Sequence, residues 1–181
     1  MKILNKTTIE DFPFTWVNLD FLPESNGNKV EIYLVNNEDL VEGLISMFNH
    51  LFRTIKNSIK VYNSSWWDFC LDTWNVKKDE YDYELDGKSI ESKDYLIMLE
   101  ESTIEIDYSG TCICNDWEKF LKVILPCIVT HQAPYSPIFY DDNYDFFFYF
   151  HYSGSIGFYY RKQNDVVEKI LTIANDKYDI R

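Results

Sequence analysis

The sequence predicts a single α+β domain over residues 1–181, a mostly antiparallel sheet packed with about three helices. Three observations predict it. The length of 181 residues suits one domain. The composition, 46% hydrophobic and 18% aromatic, is enough to fill a core and excludes intrinsic disorder. Two-residue and helical periodicities alternate along the chain, with no repeat, low-complexity tract or linker between them.

The elements follow in order. Residues 14–21 alternate imperfectly, with Phe14, Trp16, Leu19 and Phe21 apolar, and residues 29–35 alternate better, with Val30, Ile32 and Leu34 on one face. Pro23 to Asn28 reads as the turn between them, so the pair predicts an N-terminal hairpin. Leu40, Val41, Leu44, Ile45, Phe48, Leu51, Phe52 and Ile55 then fall at helical spacing. Asn36 or Asn37 can cap that helix, Glu38 and Asp39 suit its N-terminal end, and Arg53 and Lys56 suit the other.

Residues 63–88 are aromatic-dense without a clean period. Tyr81, Tyr83 and Leu85 alternate with acids as an exposed strand does, and Asp86-Gly87 makes a turn. Residues 93–100 fit a short helix or a strand equally. Thr103 to Tyr108 predicts a strand with Ile104, Ile106 and Tyr108 inward, ended by Gly110. Asn115 and Asp116 open a second helix through Ile128, with Pro126 kinking it or loosening its last turn. Tyr144 to Tyr152 and Ser155 to Arg161, joined at Ser153-Gly154, predict a hairpin covered on both faces. Asn164 and Asp165 start a final helix carrying Val166, Val167, Ile170, Leu171 and Ala174.

Charge narrows the function. The net charge is −13, which repels phosphate and argues against general binding to nucleic acid or an anionic membrane. The acid is concentrated: Asp79 to Asp107 holds eleven Asp and Glu against two Lys, a net of −9. A solubilising coat does not require that concentration. No apolar run is long enough for a membrane span, and the first ten residues lack a signal peptide's hydrophobic stretch, so the chain reads as cytoplasmic. The four cysteines are then expected as reduced thiols.

Catalytic patterns are weak. Cys112-x-Cys114 with Cys127-x-x-x-His131 offers zinc-type ligands, but the spacing is poor and Pro126 disturbs the second pair, so small buried thiols are expected instead. Only His50, His131 and His151 can serve as a base for nucleophilic catalysis. Ser153 to Gly157 lacks the Lys-Ser/Thr of a phosphate loop. No enzyme activity, cofactor or metal is expected.

The interleaving of tyrosine and acid is better motivated. Asp79, Glu80, Tyr81, Asp82, Tyr83 and Glu84 alternate carboxylates with phenols, and Asp141 and Asp142 repeat the chemistry beside Tyr140 and Tyr144. Carboxylates pair with a partner's Arg and Lys, while Tyr supplies large, fairly rigid contact area. These eight residues are the candidate partner-binding set.

Two stretches carry a resemblance: Trp117-Glu-Lys-Phe-Leu through Ile124-Leu-Pro-Cys, and Phe146-Phe-Phe-Tyr-Phe-His-Tyr-Ser-Gly-Ser-Ile-Gly-Phe-Tyr-Tyr. With the size, acidity and aromatic content, residues 103–178 resemble small bacterial immunity proteins against polymorphic toxins, including those of contact-dependent growth inhibition. The resemblance implies a cytoplasmic inhibitor that binds a cognate basic toxin domain, often a nuclease, and covers its active site or a nearby surface. No functional residue carries over by position. Two other classes fit parts of the pattern: a phage-type acidic mimic of nucleic acid, and a Cys/His metal-dependent enzyme.

Overall fold

The computed structural model describes residues 1–36 and 39–181. It is a single α+β domain built on an eight-stranded antiparallel sheet. In chain order the elements are β1 (Leu4–Lys6), β2 (Asn28–Tyr33), α1 (Leu40–Phe52), β3 (Lys60–Asn63), β4 (Trp74–Asn75), β5 (Glu80–Tyr81) and α2 (Ile90–Glu101). β6 (Gly110–Cys114), α3 (Trp117–Val129), β7 (Ile138–Asp141), β8 (Phe146–His151), β9 (Ser155–Tyr160), α4 (Asp165–Lys177) and β10 (Asp179–Ile180) complete it. The sheet order is β1-β6-β3-β7-β8-β9-β2-β10, and β4 and β5 form a separate two-stranded ribbon.

Side-chain alternation divides the sheet into two faces. Val61, Phe139, Phe146, Phe148, Phe150, Ile156 and Phe158 meet the apolar stripes of α1 and α3. Phe148 stacks on Phe52 at 4.2 Å, which fixes α1 over β8. On the opposite face Tyr62, Ile138, Tyr140, Phe147 and Tyr159 pack beneath Phe12, Phe14, Trp16 and Leu22. The expected double coverage of the β8–β9 hairpin is therefore observed.

That second layer corrects the N-terminal hairpin. Residues 14–21 form no strand; they belong to a strap that crosses the sheet, and β2 pairs with β9 and β10 instead. Phe14 and Trp16 are apolar because they cover the sheet. Trp16 Nε1 donates to Asp145 Oδ1 at 2.9 Å, pinning the strap to the β7–β8 turn.

Two further expectations change, and the open reading of residues 93–100 is settled. The α1 cap is Asp39, whose carboxylate accepts from Glu42 N at 3.1 Å and which directly precedes the first helical residue. Asn37 and Glu38 lie outside the described residues. Residues 93–100 belong to α2, capped by Ser89, so four helices are present among the described residues. Residues 103–108 form a turn, entered by Thr103 at φ 55°, and only Ile104 of the expected inward residues is buried. Gly110 begins β6 at φ +135°, a conformation open to glycine alone, with Ile9 O only 2.6 Å from where a Cβ would sit.

α3 starts on Asp116, which accepts from Lys119 N, and runs through Pro126 to Val129. α4 starts on Asn164, which accepts from Val166 N and Val167 N. Among the described residues no helix is long and apolar enough to cross a membrane.

Candidate functional site

The start of the acidic segment lies on a short hairpin, and the rest of it runs on into α2 and the turn after it. Trp74 pairs with Tyr81 and Asn75 with Glu80 across β4 and β5. Asn75 Oδ1 accepts from Lys77 N and Lys78 N at 3.1 and 3.2 Å, turning the loop. Asp79 closes it at φ 55°, a left-handed conformation that Asp tolerates.

Aromatic rings stiffen the ribbon. Trp74 meets Tyr81 edge-on at 4.9 Å, and Tyr81 lies parallel to Tyr83 at 6.2 Å. Tyr83 packs on Trp67 and donates its phenol to Asp68 Oδ1 at 2.5 Å. Burial and that carboxylate push the Tyr83 phenol well above its ordinary pKa. Asp72 Oδ2 accepts from Ser89 N at 3.0 Å and joins the hairpin's base to the start of α2.

The six candidates Asp79 to Glu84 are thus brought together, with different roles. Asp79, Glu80, Tyr81 and Glu84 are exposed. Asp82 is half-exposed, and accepting from Glu84 N at 3.0 Å holds its carboxyl below the usual carboxylate range. Tyr83 anchors the hairpin rather than presenting its ring. Trp74 and Val76, which the sequence reasoning missed, are 41% and 81% exposed.

Asp141 and Asp142 are not part of this cluster. Asp141 is fully buried on β7, where its carboxylate accepts from Ser58 Oγ and Asn143 N, so no partner reaches it. Its role is to hold the turn, which corrects the partner-binding assignment. Asp142 is exposed but paired with Lys60 at 2.7 Å.

Beside the hairpin lies a groove of about 590 Å³. Its walls are the strap tip (Leu19 to Pro23), the loop after α3 (His131 to Ser136) and the β8–β9 turn. Leu19, Phe21, Leu71, Tyr135 and Tyr152 line it while remaining 46–57% exposed. Tyr152 sits between two imidazoles, 4.4 Å from His131 and 4.3 Å from His151. The His151 Nδ1 to Ser153 Oγ bond of 2.6 Å closes the turn within three residues.

Leu71 N donates to Gln132 O at 2.7 Å, tying the groove loop to the start of the hairpin. Burial, then the Asp68 carboxylate and Tyr81, push the Tyr135 phenol up. These side chains come from four separate stretches with no shared period, so no sequence pattern joins them.

The cysteines are buried free thiols, and they do not converge with His131. Cys112 and Cys114 face the core from β6, and burial pushes both thiols up to about 12. Cys127 meets Cys70 at 4.0 Å and donates to Glu91 O, while His131 turns out to Tyr152. Among the described residues no three or more His, Cys, Asp or Glu side chains gather where they could hold a metal. No family model, curated protein or solved structure matches this chain.

Proposed function

We propose that this protein is an immunity-type inhibitor that binds one basic toxin domain and covers its active site or an adjacent surface. The hairpin of residues 74–86 carries the reading: it holds exposed Asp79, Glu80 and Glu84 on the same short segment as an exposed Trp74–Tyr81 pair. A nuclease toxin needs a basic cleft to hold nucleic acid. An acidic ribbon competes for that cleft, and the chain's charge of −13 speeds the encounter. Trp and Tyr are the side chains that most often dominate interface energy.

Concentration of the acid favours this over a nucleic-acid mimic, which needs phosphate-like spacing across a whole face. Co-expression with the product of the neighbouring gene tests the proposal. Cells are expected to survive the toxin when this chain is present, and the two proteins to co-purify. Failure to bind or protect against any adjacent-gene product overturns it.

A further inference from the structure

We infer that the groove beside the hairpin is a second docking site, for a segment of the same basic partner that presents an apolar side chain flanked by Lys or Arg. The inference rests on the inhibitor reading and specifies how the partner is held. The groove's volume of about 590 Å³ is suited to one or two large side chains. Phe21, Leu71 and Tyr152 offer them an apolar surface, and the phenols and imidazoles at the mouth can take backbone hydrogen bonds.

Charge selects the occupant. The lining contains Asp20 and no Lys or Arg. Leu71 in its wall is followed at once by Asp72, and the acidic hairpin begins two residues further on at Trp74. An apolar anchor entering the groove therefore meets Asp20 in one wall, with Asp72 next in sequence to Leu71 in another, and both favour Lys or Arg beside it. A second copy of this chain would bring −13 against −13, so self-association is disfavoured.

The probe is a synthetic peptide of about twelve residues, with a central Trp-Leu flanked by Lys and Arg, titrated into isotopically labelled full-length protein. Backbone amide signals of Leu71, Tyr135 and Tyr152 are expected to shift saturably. Binding should weaken at least about tenfold when Trp-Leu becomes Ser-Gly, and as much when the flanks become Glu. Phe21→Asp and Tyr152→Asp, both at exposed positions, should weaken it similarly while leaving the unfolding midpoint unchanged. Equal binding of the Ser-Gly peptide, free indole binding as tightly as the peptide, shifts confined elsewhere, or no saturable binding each overturn the inference.

The two proposals fail separately. If the toxin is bound and neutralised with unchanged affinity by Phe21→Asp and Tyr152→Asp, the groove is removed and the inhibitor stands. If no adjacent-gene product binds while the peptide results hold, the inhibitor reading falls and a basic, apolar-anchored partner is still specified.

Discussion

The indole nitrogen of Trp16 donates to the carboxylate of Asp145 at 2.9 Å, across 129 positions of sequence. The ring itself stacks on Phe14 and lies against Phe147, so one residue clamps the strap by both packing and polarity. Trp16→Phe keeps most of the packing and removes the donor. Its expected cost is about 1–2 kcal/mol. Trp16→Ala should cost about 3–5 kcal/mol and expose residues 12–24 to limited proteolysis. Equal urea midpoints for the wild type and Trp16→Ala would show that the strap contributes nothing to the fold.

Phe148 tests the helix-bearing face. It is fully buried between Phe52, at 4.2 Å, and Phe139, at 5.0 Å. Phe148→Ala removes the ring and leaves a cavity, at an expected cost of about 3–5 kcal/mol by denaturant unfolding. A loss below about 1 kcal/mol would place this position at the scale of surface substitutions and contradict the observed packing.

The elements legible in the sequence are those whose period reports a single face. α1, α3 and α4 carry apolar stripes, and the β8–β9 hairpin carries a tight turn between two aromatic runs. α2 was ambiguous because Tyr95-Leu-Ile-Met-Leu99 is a continuous apolar run, equally suited to a buried strand. Residues 14–21 and 103–108 alternate for a different reason. In the strap the apolar side chains cap a sheet they do not join, and at Thr103 a positive φ breaks extension despite β-branched neighbours. The acidic hairpin was visible as composition, whereas Asp141 was misassigned because charge alone does not reveal a buried carboxylate with its own donors. Leu71 and Tyr152 meet in the groove only through the tertiary fold.

Stability is expected to fall at high pH because of two buried thiols. Burial raises Cys112 and Cys114 from an ordinary 9.0 to about 12. Above pH 9 the unfolded chain loses these protons while the folded chain keeps them, so unfolding is favoured as pH rises. The slope approaches about 1.4 kcal/mol per pH unit for each thiol between pH 9 and 12. Urea midpoints measured from pH 8 to 11 should decline, and Cys112→Ala should decline less steeply. Identical slopes for the two proteins would remove Cys112 from the effect.

Charge reversal on the hairpin tests the proposed interface. Glu80 and Glu84 are exposed, whereas Asp82 supports the backbone at Glu84, so Glu80→Lys with Glu84→Lys changes the surface without unlatching the ribbon. Against the toxin domain proposed as partner, the double reversal is expected to slow association at low salt, because long-range attraction guides the encounter. Raising ionic strength to physiological levels shortens the Debye length to about 8 Å and should slow the wild type toward the variant. Dissociation should depend instead on short-range contacts at the hairpin's ring pair. Trp74→Ala, which removes an exposed ring, should speed dissociation by about tenfold or more and leave the salt dependence of the on-rate intact. Stopped-flow association and surface-based dissociation measurements separate the two effects. An on-rate indifferent to both salt and the double reversal would remove the acidic hairpin from recognition. An unchanged off-rate in Trp74→Ala would move the centre of the interface away from β4.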